Sequence, residues 1–189
     1  WDKLETLRFD LTNKWVKAVH EYWKGVEDTF EPGILVVPFL YKSPLDLAEG
    51  IRGSEIYVDM YENKEKLKRL LQFCIDSIIQ LDMHLREAFN IVNEQPNGLL
   101  GVALPGKVIW MNGDPVDLIS KEFGEEFNTY SVEKVAEYAD SIYFHHHSIG
   151  YDRASSVAAI QGVKVQNIQQ DPNGPSLLDV IDEELIQAS

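Results

Sequence analysis

Four short, nearly continuous apolar runs, each separated from the next by a stretch of helical period, restrict this chain to an α/β fold with parallel strands. The runs are Ile34–Leu40, Lys107–Asn112, Ser141–His147 and Lys164–Ile168. A run without polar alternation is the pattern of a strand covered on both faces. The connections are long enough for the crossovers that parallel pairing requires. Pro38, inside the first run, predicts an irregularity or the strand's end, because proline cannot donate to a ladder.

The intervening helices carry their own start and stop signals. Trp15, Val16, Val19, Tyr22, Trp23 and Val26 predict an amphipathic helix over residues 11–28, closed by Glu31-Pro32-Gly33. Ser43-Pro44 opens a short helix that Gly53 ends, and Asn63 caps a long one running to about Val92. Residues 93–101, with one proline and two glycines, read as a loop. Helices are further expected from Ser120, over Ser131–Ala139, over Tyr151–Ile160 and over Leu177–Ile186. Four strands cannot close a barrel, and an eight-stranded barrel takes about 250 residues. The chain opens on a helix and stops just after one. The expectation is a single domain over residues 1–189: part of a (β/α)8 TIM-type barrel with parallel strands, truncated at both ends.

Charge narrows the partners. A formal charge of −14 is the opposite of the basic footprint of a nucleic-acid binder and disfavours an anionic membrane surface. No run approaches the roughly 18 apolar residues that span a bilayer, and the first residues show no secretion leader. The lone cysteine, Cys74, excludes an internal disulfide and implies a reducing, cytoplasmic setting. What remains is an acidic protein that handles a small molecule or docks on another protein.

The third run carries the most chemistry. Alternation along a strand puts Ile142, Phe144 and His146 on one face, Tyr143, His145 and His147 on the other. The first set suits a helix-covered face; the second points into the barrel interior. His147 precedes Ser148 and Gly150 at the carboxyl end of the strand, where active sites of such barrels lie. Two imidazoles two residues apart on a strand have Cβ atoms about 6–7 Å apart and can converge on one metal ion. They can equally form a hydrogen-bonded polar cluster or hold an anion. Asn112, Asp114 and Asp117 follow the second run at the same end, where aspartate serves as base, substrate anchor or cap. Tyr41 and Lys42 after the first run, and Asn167–Asp171 around the fourth, are further mouth residues. Asp171-Pro172-Asn173-Gly174-Pro175 is foremost a turn sequence. His20 and His84 lie on predicted helices, where surface or boundary positions account for them. No phosphate-binding glycine loop, dinucleotide fingerprint or nucleophile elbow is present.

Several segments resemble the uroporphyrinogen decarboxylase superfamily. They are Ser43–Gly50 with Arg52-Gly53, the helix carrying Asn63 to Ile79, Asp114 to Phe127, and the strand ending in His-x-His before Gly150. The resemblance spans nearly the whole chain, through loose motifs in a shared order. It implies a (β/α)8 barrel and one of two activities: porphyrinogen decarboxylation, or methyl transfer between a corrinoid protein and a thiol. The decarboxylase's substrate-contacting tyrosine falls at Gly50 here, and its arginines and key aspartate come from segments outside this chain. The thiol methyltransferases hold zinc through a His-x-Cys pair and a later cysteine; the matching positions here are His145 and His147. The resemblance therefore implies a methyltransferase-like protein with zinc or another divalent metal at His145 and His147, a pocket shaped by Asp114 and Tyr143, and a corrinoid protein as partner; the strand-end residues Tyr41, Asn112 and Asn167 are the expected substrate contacts. A metal-free decarboxylase of a polycarboxylate is the enzyme alternative. An inert half-barrel that pairs through its open sheet edges into a homodimer is the other.

Overall fold

A computed structural model of the protein describes residues 1–29, 40–89, 97–99 and 102–180. Of the first apolar run only Leu40 is among them. Pro38, the Glu31-Pro32-Gly33 stop, Val92 and the last helix beyond Val180 lie outside the described residues. The protein is α/β, with a four-stranded parallel sheet and helices.

The helix α1 (Lys14–Thr29) leads to β1 (Leu40–Lys42). Ser43 then starts α2 (Pro44–Arg52): its Oγ accepts from the Asp46 amide, and Pro44 fills the first turn, where its missing N–H costs nothing. Gly53, at φ 70°, ends it as expected. A helix not anticipated from the sequence, α3 (Glu55–Glu62), precedes the long α4 (Lys64–Ala88). Part of the expected loop is an antiparallel hairpin of β2 (Asn97–Leu99) and β3 (Val102–Leu104). Next come β4 (Val108–Asn112), a 3-10 turn at Asp114–Leu118, and α5 (Lys121–Phe123). A π-helical stretch, Gly124–Thr129, joins α5 to α6 (Tyr130–Ala136). The strand β5 (Ser141–His147) has the expected bounds; a 3-10 segment at Ser148–Arg153 and the short α7 (Ala154–Ala158) occupy the place of the helix expected over Tyr151–Ile160. The described residues end with β6 (Val163–Gln169) and α8 (Leu177–Val180).

The main sheet runs β1-β4-β5-β6, every pair parallel, so each strand lies beside the one that precedes it in that sheet. Its two faces differ. Ile109, Met111, Ile142 and Phe144 pack under the helices with Ile75, Ile78, Val132, Val135, Val157 and Ile160. Val108, Trp110 and Tyr143 point the other way, against Val102 and Leu104 of the hairpin and Val165. A second cluster, containing Cys74, fills the space between α2, α3 and α4, and burial pushes the Cys74 thiol up to about 12, so it is core rather than nucleophile.

Cross-strand register lays this second face out in rows. Leu40, Trp110, Tyr143 and Val165 are successive partners and form an apolar row. The next row toward the carboxyl ends is Lys42, Asn112, His145 and Asn167. An apolar floor thus supports a polar row at the end of a parallel sheet where ligands bind.

Candidate metal centre

Side-chain parity and register bring most of the candidate residues to one place. Nitrogens of His145 and His147 and an oxygen of Asp114 lie within 4.8 Å of one another, and the two imidazole centroids are 5.3 Å apart. His145 reaches Asn167 Oδ1 through Nδ1 at 2.5 Å, and His147 reaches Asp171 Oδ1 through Nδ1 at 2.8 Å. Both rings therefore present Nε2 to the cluster, each with its other nitrogen donating to a fixed oxygen. Metal-ligating histidines are held in this way, because the outer acceptor fixes the tautomer and raises the basicity of the free nitrogen.

Asp114 supplies the negative charge. Its Oδ2 accepts from Asn112 Nδ2 at 2.7 Å and lies 3.8 Å from Lys42 Nζ. Among the described residues its Oδ1 has no hydrogen-bond partner; it is sheltered from solvent and lies 3.5 Å from His147 Nε2. A buried carboxylate oxygen left unsatisfied costs free energy, and a cation between it and the imidazoles would offset that cost. The donor set, two nitrogens and one carboxylate oxygen, suits zinc and leaves room for an exogenous fourth ligand. The donor chemistry fits a zinc ion.

The support beneath these ligands is built from buried groups. Asp117, whose side chain is 2% exposed, accepts from the His147 backbone N–H at 2.7 Å and contacts His146 Nδ1 at 2.9 Å. The other nitrogen of His146, Nε2, meets Gln166 Oε1 at 3.0 Å, and Gln166 Nε2 donates to Ala154 O. With both nitrogens engaged on the helix-covered face, His146 is a strut rather than a ligand. Gly150 lets the Ser148–Arg153 segment approach closely: a Cβ there would come within 2.0 Å of Asp117 Oδ1.

Asp171 does more than turn the chain. Its Oδ2 also accepts from the Ile149 amide at 3.2 Å, so one carboxylate ties His147 to the segment that follows it. Burial works against the charged form of His147, but the bond to Asp171 and the charges of Asp171, Asp114 and Asp117 outweigh it and raise its pKa. The same bond holds the Asp171 carboxyl below its usual range. In the sequence Asp171 reads as a mouth residue and foremost as part of a turn; its bond to His147 is what the structure adds.

Two of the expected site residues sit elsewhere. Tyr41 turns to the helix-covered face, where its hydroxyl donates to Asp82 Oδ1 at 3.0 Å; Lys42, one residue on, takes the place in the polar row. Tyr41 is therefore not among the residues brought to this cluster: the ladder extends through Tyr41 and Lys42, and alternation lets only one of the two face it. Tyr143 does share the face of His145 but is 1% exposed and packs on Trp110 at 4.4 Å between centroids. Burial raises its phenol pKa, so it stays protonated and serves as floor.

Lys42 brings a second carboxyl to the mouth. Its Nζ donates to Asp46 Oδ1 at 3.1 Å, and Ser43 Oγ donates to Asp46 Oδ2 at 3.1 Å. Burial dominates and raises the Asp46 pKa to about 6, with the Lys42 bond and charge pulling the other way. Because the folded value exceeds the ordinary one of 3.8, the stability it contributes is complete at low pH and is lost as pH rises through about 6. Lys42→Met is expected to raise that midpoint further, read from the Asp46 carboxyl NMR shift; an unchanged midpoint would refute the coupling.

A shallow cleft of about 350 Å³ opens beside the centre, lined by Asp114, Asp117, Leu118, His147, Ile149 and Asp171, with Pro172 and Asn173 at its rim. Among the described residues no helix is long and apolar enough to cross a membrane. Comparison with protein-family models, with curated proteins and with solved structures gave no match to the chain.

Proposed function

We propose that the chain is a segment of a (β/α)8 barrel of the uroporphyrinogen decarboxylase type, acting as a methyltransferase that carries a methyl group between a corrinoid protein and a thiol. The observation that carries the metal-dependent part is the cluster of Asp114, His145 and His147, with both imidazoles oriented from behind by Asn167 and Asp171. The strict chain order of the sheet supports a barrel segment over a doubly wound sheet, whose order reverses at a switch point. The choice of methyl transfer rests on the sequence resemblance, in which His145 and His147 occupy the zinc-binding positions.

A zinc ion bound there would lower the thiol's pKa and keep it a thiolate at neutral pH. The chain's own residues do the rest. Asp171 and Asn167 fix the tautomers of His147 and His145, and Asn112 holds Asp114 by one oxygen. Trp110 and Tyr143 close the floor against water. In such a transfer the thiolate sulfur would take the methyl group from the corrinoid protein, which would keep the electron pair of the broken bond, and the thiol proton would be lost to solvent. The exposed Leu118 and Ile149 beside the cleft give the methyl-donor protein an apolar rim to approach.

Lys42 favours one rival. A cation with a half-exposed side chain in the polar row also suits a substrate carboxylate, as a decarboxylase of a polycarboxylate would need. The deciding assay is methyl transfer from a methylated corrinoid protein to a thiol by the full-length protein and its His147→Ala variant. Turnover lost in the variant is expected; unchanged turnover, or metal-independent loss of carboxyl groups from a porphyrinogen, would overturn the reading.

A further inference from the structure

Away from the metal centre, two histidines face each other across the seam between α1 and α4. His20 Nε2 and His84 Nε2 are 2.8 Å apart, with ring centroids at 4.8 Å and planes tilted by 40°. The seam around them is apolar: Val16 and Trp23 of α1 are buried, and Phe89 lies 5.2 Å from the His20 ring and 5.8 Å from Trp23. Surface placement of two unrelated histidines does not require their Nε2 atoms to meet. With one proton between them they form a single N–H···N bond.

We infer that His20 and His84 form a second cation site, which takes a divalent transition metal of the zinc and copper class and fastens α1 to α4. Imidazole is a favoured ligand for these ions, and the affinity order peaks at copper. Two imidazole nitrogens, each about 2.0–2.1 Å from one ion, stand about 2.9–3.4 Å apart for bond angles between square and tetrahedral. The observed pair needs to open by only a few tenths of an ångström, and the cation takes the place of the shared proton. Solvent completes the coordination, since both rings are only half buried. The nearest lysines on α1, Lys17 and Lys24, are exposed, and Lys24 is paired with Asp28 at 3.3 Å, so neither charge is aimed into the seam. The net charge of −14 favours cation capture in general. With two protein ligands instead of three, this site is the weaker of the two.

Histidine arithmetic makes the test clean. The chain has five histidines, and His146 is fully buried, so a His145→Ala, His147→Ala variant leaves His20 and His84 as its accessible imidazoles. Titrated with Cu2+, that variant is expected to bind one equivalent with the electron paramagnetic resonance signature of two coordinated imidazoles. Adding His84→Gln should weaken binding by at least the roughly tenfold that even an outer partner of a ligand costs. No Cu2+ uptake, or uptake that survives His84→Gln, overturns the inference. Should the background variant fail to fold, uptake by the otherwise unaltered chain decides: His20→Gln is expected to remove one equivalent, and equal uptake overturns the site. These outcomes are independent of whether the Asp114 centre binds metal.

Discussion

Replacing His147 by alanine is expected to weaken binding of the zinc proposed for this cluster by more than the roughly 10–100-fold that an outer-shell change costs. The variant loses the imidazole whose Nε2 lies 3.5 Å from Asp114 Oδ1, and with it one of the three proposed ligands. A graded series separates a metal centre from a polar cluster. Asp171→Asn preserves an oxygen that can accept from His147 Nδ1 but removes the charge, so the ring becomes less basic and its tautomer less firmly fixed. Its effect should fall within the roughly 10–100-fold range, between the unaltered chain and His147→Ala. Asp114→Asn removes the anionic ligand, the donor that balances the cation's charge, and should rank with His147→Ala. Competition with a chelating indicator measures all three. Zinc affinity unchanged by both His147→Ala and Asp114→Asn would sink the centre.

The parts of this site that the sequence disclosed are those governed by strand alternation. In Ser141–His147 the period of two separated His146 from His145 and His147, and the structure places His146 against Asp117 and Gln166 on the helix-covered side. The row of Lys42, Asn112, His145 and Asn167 was not legible, because register between strands is fixed by tertiary pairing and not by any one strand's pattern. Tyr41 shows the cost of a one-residue uncertainty. Where a strand continues past its apolar run, every following side chain changes sides, and the tyrosine exchanges places with its lysine neighbour. Asp171 was legible as a mouth and turn residue, but its role behind His147 depends on a histidine 24 residues away, which no local pattern reports. The helix Glu55–Glu62 escaped notice because it is short and abuts α4, and the hairpin because its strands have three residues each.

The same tyrosine leads to the largest expected effect on stability. Asp82, on α4, is fully buried and gathers three elements to itself. Tyr41 of β1 donates to its Oδ1 at 3.0 Å, and Tyr138, which follows α6, donates to its Oδ2 at 2.8 Å. Arg86 Nε lies 2.6 Å from the same Oδ2, and Arg86 Nη2 donates to the Val108 carbonyl of β4 at 2.9 Å. Asp82→Ala would remove the buried carboxylate that faces the Arg86 guanidinium and accepts from Tyr41 and Tyr138, a loss of about 3–5 kcal/mol. At about 2–4 °C per kcal/mol for a chain of this size, the melting temperature should fall by roughly 6–20 °C. Asp82→Asn, which keeps an acceptor but not the charge, should fall between. Since an ion pair replaced as a unit by apolar side chains of similar volume can be neutral, Asp82→Leu with Arg86→Met should recover much of the loss. If the single and double variants were equally destabilised, the loss would come from packing rather than from the abandoned charge. The network also bears on the metal centre, because it holds β1 and β4 to α4 just below the row that carries Lys42 and Asn112. Asp82→Ala should therefore weaken zinc binding only as far as it lets that register loosen, whereas His147→Ala should abolish tight binding in a chain that still melts cooperatively. Opposite rankings of the two variants in the two measurements are what a scaffold residue and a ligand must give.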